Sequence, residues 1–242
     1  MEIEIYSDVV CPWCYLGTAR LMSALSSYEG DAVLRWRAFQ LDPAAPRPGR
    51  PLLPWLASRF GGESRARQAI AHVSELAEAD GLRLDFEHAL IANTFDAHRL
   101  LWFADRPEAV AFGATADTQQ DLAVALHRAH FTEGLDISSH EVLIDIAAEH
   151  GLQADRIERL LATTEGTAEV RGQLARANDL GITSVPTFIL AGRYAVTGAQ
   201  ETATLRSVLD EVARREGQAA TFGAMVPSQR TATARDDDTR VS

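Results

Sequence analysis

An α/β fold whose sheet is interrupted by a long helical insertion is the class this sequence predicts, and three observations predict it. Residues 2 to 39 read as strand, helix, strand, residues 55 to about 165 carry helical periodicity almost throughout, and residues 184 to 215 return to a β-hairpin and a closing helix. The expected organisation follows: 1–42 and 166–216 form one α/β unit, 43–165 a helical insertion subdomain, and 217–242 a disordered tail.

The opening strand rests on the alternation of polar and apolar residues over 2–7, and Pro12 suits the first turn of the helix that follows. That helix runs through Tyr15, Leu21, Met22 and Leu25 until Glu29-Gly30-Asp31 supplies stop and turn chemistry. Val33-Leu34-Arg35-Trp36-Arg37-Ala38-Phe39 has strong β character and completes a βαβ opening. From Asp42 to Pro54 the prolines 43, 46, 48, 51 and 54 exclude a continuous helix or central strand, so this stretch reads as a linker out of the sheet.

Three apolar stripes mark the helices of the insertion. Ile70, Val73 and Leu76-Ala77 form one, Leu122, Ala125-Leu126 and Ala129 another, and Val142-Leu143 with Ile146-Ala147 a third, while Asp155 is a candidate cap for a helix holding Ile157, Leu160 and Leu161. A helix after Gly166 leads to Gly181. Ala191-Gly192 between two β-rich runs signals a hairpin, and Leu205, Val208-Leu209 and Val212 line one face of a helix over 200–215.

Composition narrows the function. Of 242 residues 46% are hydrophobic and 24% charged, which is globular composition. The net charge of -11 gives no sequence-wide attraction to phosphate backbones or anionic lipids, so neither nucleic acid nor a membrane surface is an expected partner. All 23 basic residues are arginine, which excludes Schiff-base and phosphate-loop lysine chemistry. No apolar run approaches the roughly 18 to 20 residues of a membrane-spanning helix. The opening Met1-Glu2-Ile3-Glu4-Ile5-Tyr6 lacks the basic start and apolar run of a targeting segment, so the cytoplasm is the expected location.

The two cysteines carry the chemistry. Cys11-Pro12-Trp13-Cys14 lies between a strand and a helix, the context in which a CxxC pair suggests dithiol redox work. Unpaired N–H groups and the macrodipole at the helix start favour a thiolate at Cys11, the expected nucleophile. Cys14 returns to the same face a turn later and is the expected resolving thiol. Other readings weigh against this one. A zinc site would need to recruit two further ligands from seven scattered histidines, a structural disulfide would close too short a loop, and a buried pair of inert cysteines is core material. Val185-Pro186 opens a β-rich run, where proline belongs at a strand start or edge and a cis bond is one available conformation.

With these residues in view, the chain resembles the DsbA family of the thioredoxin superfamily, most closely its FrnE-like branch, over about residues 2–215. The resemblance is carried by Tyr6-Ser7-Asp8-Val9-Val10-Cys11-Pro12-Trp13-Cys14-Tyr15-Leu16-Gly17, Asn93-Thr94-Phe95-Asp96-Ala97-His98-Arg99-Leu100, Phe131-Thr132-Glu133-Gly134-Leu135-Asp136-Ile137, and Gly181-Ile182-Thr183-Ser184-Val185-Pro186-Thr187-Phe188 with Gly198-Ala199-Gln200. It implies a thioredoxin-like fold interrupted by a helical insertion, a dithiol/disulfide centre at Cys11 and Cys14, and a cis-proline at Pro186 facing it, with the Val185 backbone pairing with an extended substrate. Asn93 and His98 fall in the segment expected to face that site, and Trp13 is a candidate contact for substrate. Ser184 stands where the family commonly has glycine.

The resemblance thus implies a thiol-disulfide oxidoreductase or protein disulfide isomerase, with protein or small-molecule disulfides and thiols as partners. No metal or other cofactor is expected, a low-molecular-weight thiol being a candidate co-substrate. The sister branch of 2-hydroxychromene-2-carboxylate isomerases and kappa-class glutathione transferases has serine where this chain has Cys11. It supplies the alternative of a thiol-dependent isomerase or transferase acting on a small aromatic or polyketide-like molecule. Asp8 is a candidate proton relay or, more simply, a turn residue, and His98 a candidate proton carrier or packing residue. His127 and His130 share a helical face that would suit a metal, but without nearby carboxylates or thiols they read as surface histidines.

Overall fold

A computed structural model describes residues 1–225. Strand β1 (Glu2–Ser7) is followed by helix α1 (Pro12–Ser26) and strand β2 (Val33–Ala38), which pairs parallel to β1 with Ile3 opposite Leu34 and Ile5 opposite Trp36. The chain returns to this sheet through helix α8 (Thr167–Asp179) and the hairpin of β5 (Thr187–Leu190) and β6 (Tyr194–Thr197). Strand β5 lies antiparallel on the other side of β1, with Phe188 opposite Ile5, giving the order β2-β1-β5-β6. Ala191 and Gly192 turn the hairpin with φ of 50° and 67°, the pair of positive angles that matches strand twist. Helix α9 (Thr202–Met225) packs along α1. It runs well past Arg215, where the sequence reading ended it, through an alanine-rich stretch whose helix propensity tolerates Gly217. The rest of the expected tail, beyond residue 225, lies outside the described residues.

Between these two parts lie α3 (Glu63–Ala79), α4 (Phe95–Ala104), α5 (Thr118–Phe131), α6 (His140–Glu149) and α7 (Ala154–Ala162). Helix α2 (Leu52–Phe60) begins inside the expected linker because Pro54 falls in its first turn, where a missing N–H is tolerated. A two-residue strand pair, β3 (Arg50–Pro51) with β4 (Leu90–Ile91), ties the same stretch down. At α7 the capping residue is Gln153, and Asp155 sits in the first turn, bonded to Arg159.

The inserted helices do not form a core of their own. Ile3, Ile5 and Trp36 of the sheet are buried in one cluster with Leu100 of α4, Leu122 and Leu126 of α5, Leu143 of α6 and Ile157 of α7. A smaller cluster joins Tyr15 of α1 to Val73 of α3 and Phe131 of α5. Strand β2 would expose an unpaired edge, but Gln119 of α5 accepts from Trp36 N at 3.0 Å and donates to Trp36 O at 3.2 Å. Gln173 of α8 accepts from Ala38 N at 2.9 Å, so glutamine side chains take the place of a fifth strand there.

Candidate active site

Strands β1 and β2 run parallel and end at the same edge of the sheet, and both cysteines follow the end of β1. Cys11 is the N-cap of α1, extended at φ -93° and ψ 115°, with Pro12 at the first helical position and Cys11 O accepting from Cys14 N at 3.0 Å and Tyr15 N at 3.2 Å. The two thiols are not bonded to each other and are both buried, Cys11 4% exposed and Cys14 0%. Their environments differ. Burial, and then the neighbouring Cys11 sulfur, push the Cys14 thiol well above its usual range, against smaller opposing effects of the Ser7 hydroxyl and the Asp8 main chain. Cys14 is therefore held as the thiol, while Cys11 stands at the start of the helix.

Facing Cys11 is the entry to β5. The Val185–Pro186 peptide is cis, and Cys11 Sγ donates to Val185 O at 3.8 Å. Cys11, Cys14, Val185, Ile182 and Ile189 form one apolar cluster with Phe39 packed against it. Gly17 makes this approach possible: a Cβ there would lie 2.7 Å from Pro186 Cγ and 3.4 Å from the Ala199 backbone, so α1 rests on the proline at glycine distance. Pro186 O in turn accepts from Gly198 N at 2.8 Å. Trp13, 36% exposed, lies on the outer side of the motif with its ring 6.0 Å from that of His72 on α3.

Behind the dithiol lies a polar layer. Asp8, buried, receives Leu41 N on Oδ2 at 2.7 Å, while its main-chain oxygen accepts from Cys11 N at 3.0 Å. His98, also buried, places Nε2 3.4 Å from Asp8 Oδ1 and donates to Phe39 O at 2.9 Å. Asn93 uses its side chain on the stretch that follows, donating to Pro43 O at 3.1 Å and Ala45 O at 3.4 Å and accepting from Arg47 at 2.9 Å. The structure thus brings Cys11, Cys14, Val185 and Pro186 together with Trp13 at their rim. Asn93 and His98 are bonded to the segment leaving β2.

The expectation that His127 and His130 are surface residues is overturned, since both are buried. Tyr15 of α1 stacks on His127 at 5.2 Å and 11°, and His127 Nδ1 donates to Val9 O at 3.0 Å, fixing the turn before the cysteines. His130 packs edge-on to Phe131 at 4.5 Å, and neither of its ring nitrogens has a hydrogen-bond partner. Burial, followed by the charge of His130, lowers His127 to about 3, and burial lowers His130 to about 4 against the pull of Asp8 and Asp136. The spacing of three put both on one helical face, but only the packing of α1 against α5 makes that face an inner one. Asp8 is the site residue the sequence read least well, because its role depends on Leu41, 33 positions away. Among the described residues no three His, Cys, Asp or Glu side chains gather to hold a metal ion, and no helix is long and apolar enough to cross a membrane.

Solved structures share this fold. A probable DsbA oxidoreductase from Streptomyces coelicolor is 29% identical, with a TM-score of 0.78 over 95% of this chain and 93% of its own. The cytosolic disulfide reductase DsbM of Pseudomonas aeruginosa is 18% identical, with a TM-score of 0.62 over 88% of this chain and 99% of its own, and a second structure of it contains glutathione. A 2-hydroxychromene-2-carboxylate isomerase is 15% identical, with a TM-score of 0.65 over 90% and 99%. At these last two identities the likeness is one of fold. The sequence profile of the DSBA-like thioredoxin domain matches residues 2–210, from the first residue of β1 into α9, and the chain therefore belongs to that family.

Proposed function

We propose that the chain is a thiol-disulfide oxidoreductase in which Cys11 attacks and Cys14 resolves. The observation that carries this reading is the asymmetry of the pair: Cys11 at the N-cap of α1 against the Val185 carbonyl, Cys14 fully buried and kept protonated. The Cys11 thiolate attacks one sulfur of a substrate disulfide and releases the other as a thiolate, which takes up a proton. Cys14 then loses its proton and attacks Cys11, so the substrate leaves as a second thiol and the enzyme is left with a Cys11–Cys14 disulfide. The reverse sequence oxidises a dithiol. Trp13, Val185 and Pro186 line the approach, and the Val185 backbone beside the cis proline offers a place for an extended peptide to pair.

Both cysteines belong to this pair, leaving none for the structural disulfides common in oxidising compartments, which supports a cytoplasmic location. Within the family we read the chain as FrnE-like on the sequence segments given above, and its retention of both thiols argues for redox chemistry over the isomerase branch, which has serine in place of Cys11.

The test is a pair of variants assayed with a model disulfide. Cys11→Ser abolishes turnover, whereas Cys14→Ser accumulates a mixed disulfide visible by mass. Turnover that survives Cys14→Ser and requires added thiol would instead establish the thiol-dependent isomerase. The potential in defined thiol buffers then gives direction, a value toward about -270 mV marking a reductant and one toward about -120 mV an oxidant.

A further inference from the structure

The segment that leaves β2 ends beside the dithiol because β1 and β2 are parallel and finish at one edge, where open α/β sheets bind their ligands. This segment, residues 39–47, is held by side chains from several elements at once. Phe39 N donates to Ser7 O at 3.2 Å and its carbonyl accepts from His98. Gln40 Nε2 donates to Thr94 Oγ1 at 3.2 Å, and Leu41 N donates to the buried Asp8 carboxylate. Asn93 grips residues 43, 45 and 47, and Asp96 binds Arg47. Phe39 packs on the cluster that contains both cysteines, yet Leu41, two residues on, is 52% exposed. Asp8, Thr94 and His98 therefore fix residues 39–41, and at the end of that stretch the large apolar side chain of Leu41 stands in water while its main-chain N is bonded to Asp8, itself three residues from Cys11.

We propose that Asp8 and His98 are positioning residues that fix residues 39–41 as one wall of the substrate cleft, and that Leu41 is the apolar contact this wall presents to the residue flanking the disulfide of an extended peptide. The inference rests on the oxidoreductase reading above. Trp13, 36% exposed on the motif, supplies a second apolar surface at the rim, and the Val185 backbone supplies the polar pairing. The occupant that suits this arrangement is a peptide with a leucine-like side chain beside its cysteine. Covering the exposed half of Leu41 contributes about tenfold in selectivity.

The experiment uses two peptides, each with its cysteine in mixed disulfide with glutathione, one flanked by leucine and the other by glycine. Pre-reduced full-length protein is mixed with each under single-turnover conditions. Release of peptide thiol and glutathione, with formation of the Cys11–Cys14 disulfide, is followed against peptide concentration. Wild type favours the leucine peptide through a lower half-saturation concentration, and Leu41→Ser reduces that preference about tenfold. Asp8→Ala and His98→Ala reduce it similarly, while Asp8→Asn, which keeps an oxygen for Leu41 N, restores it. Unchanged preference in a Leu41→Ser protein that still reduces both peptides overturns this inference alone. So does an Asp8→Asn protein whose maximal rate falls equally on both peptides, since the carboxylate charge would then serve proton transfer. A wild-type protein that, pre-reduced, releases thiol from neither peptide and, pre-oxidised, forms the mixed disulfide from neither peptide thiol with glutathione overturns the oxidoreductase reading together with the inference.

Discussion

Acid should unfold this protein through two histidines before it reaches the carboxylates. His127 and His130 have folded values of about 3 and about 4 against the ordinary 6.5, so the unfolded chain takes up their protons first. The stability from keeping both rings neutral is complete above about pH 6.5 and is lost as pH falls toward those folded values. Each proton bound only by the unfolded chain gives a slope of about 1.4 kcal/mol per pH unit, so at pH 5 each ring contributes a loss of about 2 kcal/mol and the two about 4. That is a large share of the roughly 5 to 15 kcal/mol of an ordinary domain. Asp96 is raised by burial but held below its usual value by Arg47, Arg99 and His140, and Asp136 similarly by Ser138 and Gly49. Both remain ionised across this window and add no slope. The assay is urea unfolding at intervals from about pH 7.5 to 5, in wild type and in His130→Leu. Leucine breaks no hydrogen bond there, because both ring nitrogens of His130 are without partners. The variant should lose about half of the pH dependence and exceed wild type in stability at pH 5. Equal slopes in the two proteins would refute the argument.

Two further substitutions probe the packing around the site. Gly17→Ala forces Pro186 and α1 apart, since its Cβ would meet Pro186 Cγ at 2.7 Å, and should cost about 1 to 3 kcal/mol in urea unfolding and slow turnover. Arg99→Leu removes a buried guanidinium that donates to Asp96 and to the carbonyls of Leu160, Thr163 and Glu165 at the end of α7. Leaving those acceptors and the Asp96 charge without it should destabilise by about 3 to 5 kcal/mol, read as a lower denaturation midpoint.

The elements that define the fold were legible because each has a local signal. Alternation marks β1, Pro12 opens α1, Ala191-Gly192 turns the hairpin, and the apolar stripes of α3, α5 and α6 fall where those helices lie. The cysteine pair was legible for the same reason, since its spacing and its place at a helix start are written in four consecutive residues. What depends on distant partners was not. Strands β3 and β4 have two residues each, too few to show a period. Whether His127 faces water is decided by the helix stacked on α5, and Asp8 becomes a clamp only when Leu41 returns to meet it. The glutamines on β2 replace a strand with side chains from α5 and α8, a device with no sequence period.

Placing β1 between β2 and β5 also orders events during synthesis. Ile3 pairs with Leu190, and the wall that faces Cys11 begins at Val185, roughly 170 residues after Cys14. At about 5 to 20 residues per second, a ribosome needs on the order of 10 to 30 seconds to deliver the second half of the sheet after the cysteines have been made. During that interval the nascent chain carries both thiols without Pro186 over Gly17 or the β5 partner of β1. The reactive pair is therefore made first and enclosed last, and the newborn chain depends on its surroundings, not on its own fold, to keep the two sulfurs reduced until the sheet closes.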